Sequence, residues 1–254
     1  MYKKIEFILD PNFTLPINTP IPAASILPNW WKQGESFINK ETGALDIDSP
    51  ELKVAGMKSC MPFLDALNSG YFLTTWADVE VTVNDGEKIE YKYLDKNSKQ
   101  ENIYSRTDWK MIKEREGAIG YTIPRPAGHA DNHMVWESKW GWKVPKGWSV
   151  LVTHPLNQAH LPFTTLSAIV DSDRFAPHGN IPFFFKEGWT GVIEKGTPFA
   201  QLIPINRQEW VATSKVAGSK DVYTSRKARE VQFGYYRSKI WVPKKYTWGK
   251  NVSE

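Results

Sequence analysis

Asp78-Val-Glu-Val-Thr-Val83-Asn-Asp-Gly86-Glu-Lys-Ile-Glu-Tyr-Lys-Tyr-Leu94 decides the fold class. Successive side chains of a strand point to opposite faces. Val79, Val81 and Val83 therefore share one face, and Asp78, Glu80 and Thr82 the other. Asn84-Asp85-Gly86 tolerates the left-handed backbone of a tight hairpin turn. Residues 88–94 then alternate again through Ile89, Tyr91 and Tyr93. The stretch predicts a β-hairpin.

The same grammar extends on both sides. Residues 71–75 read as a strand, and downstream so do 148–153, 163–170, 181–186, 188–194 and 199–205, each bounded by Gly or Pro. From Trp136 the pattern is strand, turn, strand. Short strands at such spacing predict an antiparallel sandwich or barrel, not βαβ units. Phe63, Leu64 and Leu67 stand at helical spacing and predict a helix of a turn or two, stopped by Asn68-Ser69-Gly70. Residues 4–9 predict one strand. Pro11, Pro16, Pro20, Pro22 and Pro28 then predict an extended arm with one short helical turn over 22–32, anchored by Trp30 and Trp31. Residues 35–56 read as polar and loop-like, and 95–117 as polar and mixed in charge. The expected organisation is a Pro-rich arm and loop (1–50), one β-rich core (51–210) and a basic, aromatic C-terminal extension (211–254). The fold class is mainly β, with a few short helices and extended terminal arms.

The chain has 254 residues, 17 of them Gly and 17 Pro. That length suits one large domain, or one with appendages. It buries roughly three quarters of its unfolded surface and folds without staples. One cysteine, Cys60, excludes a disulfide scaffold and a four-thiolate zinc site. No run approaches ~18 apolar residues, so no membrane span is expected. The opening residues 1–13 have an apolar run cut at Asp10 and Pro11, too short for a signal peptide. The expected setting is a reducing cytoplasm, or a particle assembled in one.

Charge is uneven. The whole chain carries 32 basic and 28 acidic side chains, net +4. Residues 206–254 hold 11 basic against 4 acidic ones, +7, which leaves −3 for residues 1–205. Trp210, Tyr223, Phe233, Tyr235, Tyr236, Trp241, Tyr246 and Trp248 are interleaved with that charge. Three readings stand: a solvated tail, a cover for a neighbouring subunit, or a track for a nucleic-acid backbone with stacked bases. The 12 Trp fit a β-rich core, but several lie in turns, as in Trp140-Gly141-Trp142-Lys143 and Trp248-Gly249-Lys250, where contact surfaces form.

Candidate chemistry is sparse. His129-Ala130-Asp131-Asn132-His133 offers two imidazoles and a carboxylate, and His129, Asp131 and His178 have the spacing of a facial triad for non-haem iron. The same residues read equally as a surface loop, and no cofactor is predicted. No nucleophile elbow, P-loop or dinucleotide fingerprint occurs. Cys60, in an apolar stretch before Met61 and Pro62, reads as a buried structural thiol.

Residues 145–207 carry two resemblances. Pro145-Lys-Gly147, His154, Ile169-Val-Asp171 and Gly196-Thr-Pro-Phe-Ala-Gln201-Leu202 stand at spacings similar to those of the dUTPase and dCTP deaminase superfamily. The resemblance implies a β-clip fold that usually forms trimers, with Asp171 at the water-activating carboxylate and Gln201 at the glutamine of the last strand. The departures are His154-Pro-Leu-Asn157 in place of the phosphate-binding Arg-Ser-Gly, Arg174-Phe-Ala176 in place of Tyr-Arg-Gly, and no C-terminal glycine-rich clamp. A triphosphate needs fixed cationic and backbone donors.

The second resemblance spans most of residues 20–210. Pro22-Ala-Ala-Ser-Ile-Leu-Pro-Asn-Trp30, Lys58 with Cys60-Met-Pro-Phe-Leu-Asp-Ala66, Pro145-Lys-Gly-Trp-Ser-Val-Leu151 with His154-Pro-Leu-Asn157, Val170-Asp-Ser-Asp173 and Gly196-Thr-Pro198 through to Arg207 resemble a protein family of large tailed phages, cyanophages among them, with distant bacterial relatives. That resemblance implies relatives but no activity. Two functions follow as expectations. The first is a non-catalytic binding or assembly protein, homo-oligomeric (a trimer by analogy) or bound to other phage proteins, in the host cytoplasm or the virion. The alternative is an enzyme on a dUTPase-like scaffold acting on a nucleotide or other small polar ligand, with His154, Asn157, Asp171, Asp173 and Gln201 as candidate ligand residues and an Asp as general base. His-Pro and Asp-Ser-Asp are equally ordinary turn sequences.

Overall fold

The computed structural model describes residues 3–13, 17–39, 53–84, 88–94, 110–115, 122–226 and 235–244. The strands are β1 (Glu6–Leu9), β2 (Ile21–Pro22), β3 (Phe37–Asn39), β4 (Lys53–Ala55), β5 (Tyr71–Thr74), β6 (Asp78–Val83), β7 (Ile89–Leu94) and β8 (Ile112–Glu114), followed by β9 (Met134–Trp136), β10 (Trp140–Lys143), β11 (Trp148–Thr153), β12 (Phe163–Thr165), β13 (Ala168–Val170), β14 (Ile181–Phe185), β15 (Thr190–Ile193) and β16 (Pro198–Asn206). The helices are α1 (Asn29–Gln33), α2 (Met61–Asn68) and α3 (Ser219–Arg226), with a π-helical turn at Tyr236–Ile240. The protein is mainly β; among the described residues every strand pair is antiparallel and the helices are short. None of the described helices is long and apolar enough to cross a membrane. The chain divides into two units, one drawn from Met1–Pro22 and Gly70–Arg207, the other from Ala23–Ser69 and Gln208–Glu254.

In the first unit the hairpin forms as the alternation predicts. β6 and β7 pair from Asp78↔Leu94 to Val83↔Ile89, and Val79, Val81 and Val83 are buried. Asp85 and Gly86 of its turn lie outside the described residues. β15 adds a third strand beside β6. A five-stranded sheet runs β13-β11-β16-β5-β2 and a four-stranded sheet β12-β14-β9-β8. They meet through aromatic side chains. Trp136 of β9 stacks on Phe183 of β14 at 4.1 Å and on Phe199 of β16 at 4.9 Å between ring centroids. The indole N–H of Trp136 donates to Thr165 Oγ1 (3.2 Å), and that hydroxyl donates to the Phe199 carbonyl (2.5 Å). The relay satisfies buried polar groups that would otherwise cost stability. Pro198 to Leu202 of β16 are all buried, so this central strand is covered on both faces.

The N-terminal strand, predicted over 4–9, is β1, and it pairs with β10. Residues 163–170, predicted as one strand, are two. β12 pairs with β14, whereas β13 pairs with β11 in the other sheet. The chain changes sheets at Leu166, whose N–H donates to Pro182 O (2.8 Å), and Ser167, whose Oγ lies 2.7 Å from Thr153 Oγ1. A run of β-branched residues looks continuous whichever sheet it feeds, and strands that switch sheets make the corners of such packings.

In the second unit, Trp30 and Trp31 of α1 pack against Phe63 of α2; Trp31 is stacked at 6.1 Å and Trp30 is edge-on at 5.8 Å. α1 and a 3-10 turn, Ala23–Ser25, occupy the stretch expected to hold one helical turn. β3 and β4 pair with each other inside a stretch read as loop-like, and in the first unit β8, which pairs with β9, lies in a stretch read as polar and mixed in charge. Each has three residues, too few for a period to show. α2 ends with Ser69 Oγ donating to Asp65 O (2.6 Å).

Candidate functional site

Two of the candidate residues, Asp171 and Asp173, come together where three strands of one sheet end. β11 begins at Trp148 opposite Asn206, the last residue of β16, and Val150 of β11 faces Val170, the last of β13. Arg207 follows directly. Its guanidinium lies 2.9 Å from Asp171 Oδ1, donates to Asp173 Oδ1 at 3.0 Å and pairs closely with Asp173 Oδ2. Buried Ser149 donates its hydroxyl to Asp171 Oδ1 (2.7 Å), and the Gly147 N–H donates to Asp173 Oδ2 (2.9 Å). The Arg207 N–H closes the ring by donating to Gly147 O (2.9 Å). A planar guanidinium fork fits carboxylates in this manner.

The ring sets the protonation states. Hydrogen bonds from Ser149 and then Arg207 hold Asp171 below the ordinary carboxylate range. Those from Arg207 and then the Gly147 N–H do the same for Asp173. Both aspartates raise the pKa of Arg207 in return. A carboxylate so well supplied with donors is a weak base, because proton abstraction must give up charge-assisted bonds. What the arrangement does well is fix the point from which the chain leaves the sheet.

His154, Asn157 and Gln201 lie at the other end of the same ladder. Thr153 pairs with Gln201, and His154 stands five residue steps along the chain from Ser149, about 17 Å at strand rise. Within one protomer the structure therefore does not bring His154 to Asp171. The Thr165 N–H on β12 donates to His154 Nδ1 (3.3 Å), and His154 Nε2–H donates to Gln158 O (3.2 Å). The imidazole thus satisfies a strand-edge N–H, and burial, ahead of nearby Lys186, His160 and His129, lowers its pKa. Buried Gln201 accepts from the Leu156 N–H (2.8 Å). Asn157 is exposed and takes φ +60°, a left-handed turn conformation that asparagine tolerates.

The histidine loop packs onto a sheet. His129 Nδ1–H donates to Ala127 O (3.0 Å), and its Nε2 accepts from Thr164 Oγ1 (2.8 Å). Asp131 pairs with Arg125 at 2.6 Å. His133 is buried and stacks on Phe184 at 5.2 Å. His178 lies elsewhere, with Nε2 3.0 Å from Ile8 O. Among the described residues no three His, Cys, Asp or Glu side chains gather as a metal site. Cys60, expected to be buried, is exposed. It is the N-cap of α2, where its carbonyl accepts the N–H groups of Phe63 and Leu64, and burial on that helix begins with Met61.

Beyond Arg207 the chain changes character. Residues 207–218 have no regular structure and are exposed throughout. Trp210 is 85% exposed, Val211 90% and Val216 95%. α3 follows with no buried residue. Further on, Trp241 Nε1 donates to Asp65 Oδ2 (3.0 Å), as does Lys244 Nζ (2.7 Å), so these two members of the basic, aromatic extension are fastened to α2. No protein-family model matches the chain, and no curated protein does either. Sequence reasoning assigned Arg207 no role. Its signal was Asp-x-Asp at one strand end with an arginine just past the last strand.

Proposed function

We propose that this chain is a non-catalytic binding and assembly protein of a tailed phage, working as a symmetric homo-oligomer fastened by residues 208–218. The observation that carries this reading is the exposure of Trp210, Val211 and Val216 on a segment without regular structure that follows the anchored Arg207. Burying one such side chain is worth roughly 1.5–3 kcal/mol. A segment that leaves three in water is suited to burying them against another molecule. A fixed root supports the same reading, since it lowers the entropy lost when the segment docks. The resemblance in residues 20–210 supports the phage setting.

The dUTPase-like alternative needs His154 and Asp171 to act on one ligand. In a protomer both are committed to structural bonds at opposite strand ends. Light scattering on the full chain and on the Trp210→Ser, Val211→Ser variant tests the proposal. The native chain is expected to elute as an oligomer, and the variant at lower mass with unchanged circular dichroism. Equal masses for the two would remove the segment from assembly.

A further inference from the structure

The segment needs a receptor, and the first unit offers one beside its root. β13 is an edge strand: β11 pairs with one side, and among the described residues no strand pairs with the other. Edges usually carry charge or cover that discourages pairing. Here the middle residue, Ile169, is 66% exposed. Four residues after Asp171, Phe175 is 55% exposed. Ile169, on the strand with the free edge, thus stands two residues before Asp171, and Phe175, past the end of that strand, two residues after Asp173.

We propose that residues 208–213 of one copy add to the β13 edge of a second copy, with Trp210 and Val211 packing against Ile169 and Phe175. This rests on the assembly reading above and names its contact surface. Three observations favour a second copy of this chain as occupant. The segment has no regular structure over 207–218, so adding it as a strand to a free edge breaks no helix or sheet. It carries exposed apolar residues at adjacent positions, so either strand face presents one of them to the patch. Finally, root and receptor lie at the same end of one sheet. Only β11 separates β13 from β16, about 10 Å between outer strands, and Arg207 is bonded to both aspartates that follow β13. A two-fold axis near this corner that carries one copy's segment to the other's β13 also carries the second segment back. The contact is then self-complementary and closes. Trp210 and Val211 stand three and four residues past Arg207, a reach of about 10–14 Å, enough to cross such an axis.

Cysteine cross-linking tests the contact, and replacing Cys60 leaves a background without cysteine. In Cys60→Ser protein, Ile169→Cys with Val211→Cys is expected to form covalent dimers under mild oxidation, whereas each single variant stays uncrosslinked. A disulfide requires the two Cα atoms to approach within ~7 Å, so the bond reports the contact itself. Separately, Ile169→Lys should raise the dissociation constant of the native oligomer at least about tenfold. If the protein is oligomeric by light scattering but neither effect appears, the assembly reading stands and this docking site is wrong. A monomer at all concentrations overturns both.

Discussion

Single residues show how easily a chemical side chain becomes a structural one. His154 was singled out as a ligand residue, yet its two nitrogens join Thr165 of β12 to the turn at Gln158. The Nδ1 acceptor exists only in the neutral ring, and burial lowers its pKa. A histidine whose folded pKa is depressed contributes stability above its unfolded value near 6.5, and that contribution is lost as pH falls through the folded value. His133 and His160 are depressed too, each by burial first and then by Arg115 and Lys186 respectively. Melting temperature should therefore fall between about pH 7 and pH 5. His154→Ala should melt lower at pH 7 and show a smaller fall, which differential scanning fluorimetry across that range will read. Asp171 and Asp173 are depressed carboxylates, so their loss begins only at lower pH, below about 4.

At the scale of elements, much was legible where a period had room to repeat. β6 and β11 match their predicted bounds, and β7, β14 and β16 fall within a residue of theirs: alternation marks β6 and β7, whereas β11, β14 and β16 read as apolar runs punctuated by Gly and Pro. β8 was illegible, since three residues carry no period and its register comes from elsewhere. The hydroxyl of Tyr93 on β7 accepts the N–H groups of Met111 (2.7 Å) and Ile112 (3.1 Å). Burial first pushes that phenol up to about 12, so it stays protonated. Tyr93→Phe leaves two buried N–H groups without this acceptor and should cost about 1–3 kcal/mol. Hydrogen exchange should locate the loosening at residues 111–114, and uniform protection there would show that β8 holds without Tyr93. The sheet change at Leu166 was equally hidden, because Phe163, Thr164 and Thr165 favour a strand whichever neighbour they meet. Of the candidate site, the sequence placed Asp171 and Asp173 at a strand end. Their partner was hidden because the pairing depends on β16 lying beside β11, which no local pattern encodes.

For the whole molecule, composition hinted at fastening. The described tryptophans range from fully buried to exposed. Trp136 and Trp142 fill the core of the first unit, while Trp210 stands in water beside Val211. Core tryptophans are explained by the fold of one protomer, and Trp210 is not. The +7 charge of residues 206–254 favours solubility of a stretch with such exposed apolar side chains. A chain of 29.1 kDa that wraps its neighbours should be found as a multiple of that mass. Sedimentation equilibrium of the unmodified full chain from micromolar concentration upward measures it without any variant. The account predicts a discrete, closed oligomer of at least two copies. A single species of 29.1 kDa across the whole concentration range would contradict it.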